Sequence, residues 1–186
     1  MSRIPIDISK SKKAGKLIIR QWLLEKLFEY LFPLILVGMF LFIMIMEFNW
    51  NLNKNEPIGL SLLLLIFVLI ISGFMIYSIF NVYKLKRING ISRLENSILI
   101  QKIAEKNEWS ISTNNQQISI INFSWQDSGT DWGKQMTILY DEKDILVNCI
   151  SFGLHSNPSP FHWFANKRKV NKLTAEFENG IKNVLQ

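Results

Sequence analysis

Three residues in the second half of the chain have the chemistry of a nucleophilic or metal site. Cys149 is the single cysteine, and His155 and His162 are the two histidines. A thiolate nucleophile needs a nearby base and a third group that orients the base, and zinc needs three or four converging ligands. The cysteine falls inside a strand pattern at an inward position, which is typical of an inert core cysteine. The sequence therefore predicts no catalytic residue, no metal and no cofactor.

Four aspartates lie in two predicted turns. Pairs of carboxylates can act as acid and base or hold Mg²⁺. Aspartate is also a common turn residue, because its side chain accepts hydrogen bonds from nearby backbone N–H groups. The turn interpretation is favoured, and an enzyme at the membrane surface that uses a loop histidine or an aspartate is the alternative. The four residues are Asp127, Asp131, Asp141 and Asp144.

Two tryptophans, Trp125 and Trp132, flank the first of these turns. Aromatic rings on a basic surface can stack on nucleic-acid bases. Trp125 follows the alternation of a strand, however, and most basic residues stand next to the apolar segments. The sequence therefore predicts no nucleic-acid partner.

The segment 161–169, FHWFANKRK, places aromatic residues immediately before a cationic cluster. Aromatic rings enter the headgroup region of a bilayer, and each basic residue near an anionic leaflet contributes about 1 kcal/mol. In the competing interpretation, the rings close the core under the last helix and the cations are solvated. The predicted interaction residues are Phe161, Trp163, Phe164, Lys167, Arg168 and Lys169.

Two apolar runs precede this domain, at about 31–50 and 58–80, with a short polar link at 51–57. The second run, from Ile58 to Phe80, carries no charge. As a helix rising 1.5 Å per residue it would reach about 34 Å, enough for a bilayer core of about 30 Å. The short link requires the two helices to be antiparallel neighbours. The sequence therefore predicts a membrane-spanning helical hairpin over residues 31–83.

The distribution of lysine and arginine predicts the orientation of this hairpin. Seven basic residues precede the first run, four follow the second between residues 84 and 93, and the link carries only Lys54. The positive-inside rule places both termini in the cytoplasm. A composition rich in Asn, Ile and Lys is consistent with an AT-rich bacterial genome, so the expected site is the cell (inner) membrane. The absence of charge in either core disfavours a transporter; an oligomeric channel or transport accessory subunit is a second alternative.

The segments that flank the hairpin each allow two interpretations. Residues 1–15 read as a disordered basic tail. Residues 16–30 read either as an amphipathic helix in the membrane interface or as a straight extension of the first span. After the second span, a helix over 85–103 either continues it without interruption to about residue 107 or bends near Gly90.

The remaining residues, 84–186, predict a small cytoplasmic α+β domain. The pattern is helix, four-stranded antiparallel meander, helix, with helices on one face of the sheet. Adjacent apolar residues at Ile120 and Ile121 predict a β-bulge between them. The predicted strands are 109–112, 117–126, 134–140 and 144–151, and the last helix is 166–184.

The leading functional hypothesis is a non-enzymatic membrane protein. Its cytoplasmic domain would be a binding or membrane-docking module, and the hairpin would hold it at the inner face. The expected partners are the lipid bilayer, anionic lipid headgroups, and a protein partner or a second copy of the chain.

Overall fold

The chain forms two compact units that are interleaved in sequence. A computed structural model describes residues 6–20, 23–54, 57–123, 133–153, 158–159 and 162–184. One unit is Gln21–Asn81; the other combines Met1–Arg20 with Val82–Gln186. The N-terminal segment therefore belongs to the α+β domain, although the hairpin separates the two in sequence.

The first unit is a pair of long apolar helices, α2 (Leu23–Asn53) and α3 (Gly59–Asn81). Tyr30–Asn53 and Gly59–Asn81 are each long and apolar enough to cross a membrane, and 11% of an 18-residue apolar window in each is buried. Because α2 begins at Leu23, residues 23–30 extend the first apolar run directly, as one of the two interpretations predicted.

Residues 6–20 contain a short helix followed by an extended segment. Helix α1 (Ile8–Ala14) is capped by Asp7, whose carboxylate accepts a hydrogen bond from Lys10 N at 3.1 Å, and it ends at Gly15 in the left-handed conformation. Beyond it the chain is extended through Leu17, which is 4% exposed. The predictions of a disordered tail over 1–15 and of a helix starting at residue 16 were therefore wrong for residues 6–15 and 16–20, because their apolar side chains are buried against the sheet.

No single helix runs from residue 58 to 107. Helix α3 ends at Asn81, a short strand β1 (Lys86–Ile88) follows, and α4 (Arg93–Lys106) begins after Ser92. Ser92 and Glu95 form a reciprocal cap, which starts a new helix here. The predicted helix over 85–103 was thus wrong for 85–92. Residues 86–88 pair with another strand, and this pairing overrides the local helical pattern.

Gly90 lies in the bend that precedes α4. A Cβ at this position would lie 2.3 Å from the carbonyl oxygen of Lys143, so only glycine allows this close approach. The buried side chain of Asn96 bridges the same region, accepting from Ile91 N at 3.0 Å and donating to the Lys143 oxygen at 2.9 Å. These contacts fix the start of α4 against the sheet.

The sheet has five antiparallel strands in the order β1-β5-β4-β3-β2. All four predicted strands are present, and β1 is the additional one. The predicted turn at 141–144 is confirmed, since Asp141 pairs with Asp144. The last helix, α5 (Trp163–Val184), begins three residues earlier than predicted. The remaining strands are β2 (Ser110–Asn114), β3 (Ile118–Phe123), β4 (Lys134–Asp141) and β5 (Asp144–Ser151).

Both faces of this sheet are buried, whereas the sequence predicted one. Helices α4 and α5 cover the first face, where Ile121 lies in the larger core. Residues 6–17 and 82–85 cover the second face, where Ile120 contributes to a separate core. Ile120 and Ile121 therefore point to opposite cores in a regular strand. The predicted bulge between them was wrong; the register shift lies in β2, between Ile111 and Thr113.

The N-terminal segment and the residues after α3 are hydrogen bonded to each other. Leu17 N donates to Tyr83 O at 2.8 Å, and Leu85 N donates to Gly15 O at 3.0 Å. Asn148 on β5 secures the second of these segments, because its Nδ2 donates to the oxygens of Val82 and Lys84, both at 2.9 Å. The two chain passages into and out of the hairpin thus form part of the domain.

We expect the domain to fold without the hairpin, provided that residues 6–20 are kept. A chain in which a short Gly-Ser linker replaces residues 21–81 should be a soluble monomer with a cooperative thermal transition. Within it, Leu17→Ala should lower the free energy of unfolding by about 2–5 kcal/mol, as for other buried leucines. Lys13→Ala, at an exposed position of the same segment, is the matched control. Equal, small effects in chemical denaturation would show that residues 6–20 do not close the second face.

Candidate functional site

The beginning of α5 is held in place by its buried face. Val170, Leu173 and Phe177 enter the larger core, and the buried Asn166 accepts a hydrogen bond from Ser151 Oγ at 2.6 Å. This anchoring leaves the intervening cations at the surface. Lys167 and Arg168 are exposed, and Lys169 is half-buried.

Two of the lysines of α5 cover an aromatic pair of the core. Trp109 and Phe123 meet edge to face, with ring centroids 5.3 Å apart. Lys169 Nζ lies 4.8 Å from the Phe123 centroid, and Lys172 Nζ lies 5.5 Å from the Trp109 centroid. Cation–π contacts at such partly exposed sites contribute about 0.5–1 kcal/mol each. Lys169 and Lys172 therefore have a structural role, which neither interpretation of the sequence predicted.

A second aromatic pair reaches the surface. Trp163 and Phe164 pack edge to face with centroids 4.9 Å apart, and Lys167 Nζ lies 4.9 Å from the Trp163 ring. Trp163 is half-buried, but Phe164 is 57% exposed. Trp163, Phe164, Lys167, Arg168, Lys169 and Lys172 together are termed the aromatic–cationic surface. Its exposed residues are Phe164, Lys167, Arg168 and Lys172, of which Lys172 is engaged by Trp109 and Glu176. Phe161 lies outside the described residues.

The electrostatics of this surface favour an anion. The first turn of α5 has no acidic residue. Cations near a helix N-terminus interact unfavourably with the helix dipole, by about 0.3–1 kcal/mol. A negatively charged group bound to this surface from solvent would relieve this repulsion. The structure thus makes a solvent-facing array of one phenylalanine and two cations that an anionic partner would complement.

Lys172 of this surface was not predicted from the sequence, nor were the two rings that the lysines of this surface contact, Trp109 and Phe123. Lys172 stands three positions after Lys169 on the same helix, so helical periodicity could have identified it. Trp109 is placed by the end of α4: Glu108 takes a left-handed φ of 58°, and Trp109 N donates to Ala104 O at 2.8 Å. Such a closing motif usually has glycine at the left-handed position, so the sequence carried no signal for it.

Cys149 is buried in the larger core and is 5% exposed. Its Sγ lies 4.0 Å from Asn166 Oδ1, the same oxygen that accepts from Ser151. His162 immediately precedes α5, and His155 lies outside the described residues. Among the described residues, no group of three His, Cys, Asp or Glu side chains is placed to hold a metal ion.

The two aspartates of the β4–β5 turn are ion-paired. Arg87 on β1 donates to Asp144 Oδ2 and to Asp141 Oδ2, both at 2.7 Å, and these hydrogen bonds raise the pKa of Arg87. Lys12 Nζ of α1 donates a hydrogen bond to the backbone carbonyl oxygen of Tyr140 and lies 3.9 Å from Asp141 Oδ1. Partial burial lowers the pKa of Lys12. This cluster joins α1, β1 and the turn, which is a structural role. Asp127, Asp131, Trp125 and Trp132 lie outside the described residues.

A groove of about 250 Å³ lies between α4 and α5. Glu176 borders it and is engaged by Asn107 Nδ2 at 2.8 Å and by Lys106 and Lys172, both at 3.9 Å. The groove is smaller than most ligand pockets, which measure roughly 300–1,000 Å³.

No protein-family model matches the chain, and neither a curated protein nor a solved structure does.

We expect Cys149 to be unreactive in the folded protein. Modification by a maleimide should be slower than for an exposed thiol by at least about a hundredfold, because it requires an opening that costs several kcal/mol. The comparison is Asn179→Cys, at an exposed position of α5, in a Cys149→Ala background. Fast labelling of Cys149 without denaturant, followed by mass spectrometry, would instead indicate an accessible and reactive thiol.

Proposed function

We propose that this chain is an integral membrane protein in which α2 and α3 cross the cell membrane as a hairpin and hold the α+β domain at the cytoplasmic face. There the aromatic–cationic surface docks on anionic lipid. The observation that carries the first part is the exposure of the two long apolar helices. The second part rests on the exposed Phe164, Lys167 and Arg168.

The helices suit a bilayer better than the interior of a soluble protein. A core helix would be mostly buried, yet 11% of each long apolar stretch is buried. Large side chains face outward along both helices, among them Phe40 at 58%, Leu60 at 72% and Phe67 at 56% exposure. Removing one such side chain from water stabilises the protein by about 1.5–3 kcal/mol. The hydrocarbon core of a bilayer removes all of these side chains from water together.

The basic residues support a cytoplasmic location of the domain. They are concentrated on the two segments that lead into and out of the hairpin, while the link carries only Lys54. These segments pair with each other within the domain, so their charges are presented together. The positive-inside rule then gives an external link and a cytoplasmic domain.

The docking surface can be effective although it is small. Two exposed cations near an anionic leaflet contribute about 1 kcal/mol each, and Phe164 adds apolar contact at the headgroup level. A domain that is already tethered to the bilayer binds it as an intramolecular event, so weak contacts suffice. The alternative of a surface enzyme has less support, since Asp141 and Asp144 are ion-paired and Cys149 is buried.

The topology is testable with single cysteines in the Cys149→Ala background. Lys54→Cys in the link should react with a membrane-impermeant maleimide in intact cells. Glu178→Cys on α5 should react only after permeabilisation. The reverse pattern would contradict the proposed orientation, and labelling of both in intact cells would contradict a membrane hairpin of this kind.

Docking is testable by co-sedimentation of the hairpin-less domain with vesicles that contain anionic lipid. Lys167→Gln/Arg168→Gln should weaken binding by about 30-fold, the equivalent of two contributions of about 1 kcal/mol. Lys102→Gln/Lys182→Gln removes the same charge from exposed positions elsewhere and is the matched control. Equal losses in both double variants would indicate unspecific attraction, and unchanged binding in both would exclude this docking surface.

A further inference from the structure

The groove between α4 and α5 is built from two facing helical stripes. Leu99, Lys102, Ile103 and Lys106 follow a spacing of three and four residues on α4, and α5 contributes the matching series. Ile103 is buried and Leu99 half-buried, so they form an apolar floor. The polar side chains stand on the two rims.

Gly180 allows the helices to approach at this point. A Cβ at Gly180 would lie 2.5 Å from Leu99 Cδ1 and 3.0 Å from Leu99 Cδ2. A side chain at this position would therefore displace Leu99, which lines the groove. The shape of the groove depends on the absence of a side chain at residue 180.

The residues that line the groove carry a net positive charge, which favours an anionic ligand. Its single acidic residue, Glu176, is already engaged by Asn107, Lys106 and Lys172. Lys102, on the α4 rim, has no hydrogen-bond or ion-pair partner among the described residues. Asn179 and Asn183 stand on the α5 rim with amide groups that can donate hydrogen bonds. An anionic group between the rims would meet one uncommitted ammonium group and two amide donors.

We propose that this groove is a binding site for a small monoanion with a short apolar body, such as a short-chain carboxylate. The carboxylate lies between Lys102 and the two asparagines, and the apolar body rests on Leu99 and Ile103. The volume of about 250 Å³ restricts the ligand to a small molecule. The site does not use Phe164, Lys167 or Arg168, and it requires neither lipid nor docking.

The test uses methyl and side-chain amide NMR of the full chain in nanodiscs, with pentanoate, pentanamide and pentylamine as probes. These share a chain length and differ in charge. Pentanoate should give saturable shifts at the methyl groups of Leu99 and Ile103 and at the amides of Asn179 and Asn183. Pentanamide should bind more weakly, and pentylamine should give no saturable shift.

Two substitutions separate the contributions of charge and shape. Lys102→Gln should weaken pentanoate binding by about three- to fivefold, as expected for one solvent-exposed charge, while Lys182→Gln on α5, outside the groove, should leave it unchanged. Gly180→Ala should abolish the shifts by displacing Leu99. The proposal is overturned if pentanoate gives no saturable shift in the wild-type chain, if pentylamine binds as well, or if Lys102→Gln has no effect.

Discussion

The need to bury both faces of the central sheet is the constraint on which the rest of the structure depends. Strands β3, β4 and β5 are buried along almost their whole length. A sheet of this kind must be covered on both sides, because leaving either apolar face in water would forgo most of the free energy that folds a small domain. Helices α4 and α5 cover the first face. The second is covered by residues from both sides of the hairpin.

This way of closing the second face places the chain segment before the hairpin next to the segment after it. Residues 15–17 bond to residues 83–85, and Asn148 holds the latter against β5. Pairing segments so distant in sequence would normally carry an appreciable loop-closure entropy. A preformed helical hairpin reduces that cost, since it brings its own two ends together. Formation of the helical pair and folding of the domain would then support each other.

The same covered sheet explains how α5 comes to display its cations. The core fixes Asn166 and Val170 inward, so the basic residues between them lie at or near the surface. Part of that charge serves the fold, because Lys169 and Lys172 lie over the rings of Phe123 and Trp109. The remainder, Lys167 and Arg168 beside Phe164, makes no comparable core contact and is what a partner would meet. The cations of this helix thus divide into those that contact core rings and those that do not.

The sequence by itself determined the two long apolar helices, the α+β class, strands β2 to β5 and the turn at 141–144. Each of these has a local signature: uninterrupted apolar length, alternation with a period of two, or a polar turn. Tertiary structure alone decided that residues 86–88 form a strand, that residues 6–17 belong to the domain, and that Ile120 and Ile121 serve different cores. It also decided which lysines of α5 are covered and where the α4–α5 groove lies. These features arise from pairing and packing between distant segments, where burial outweighs local preference, and no pattern within a single window of sequence encodes them.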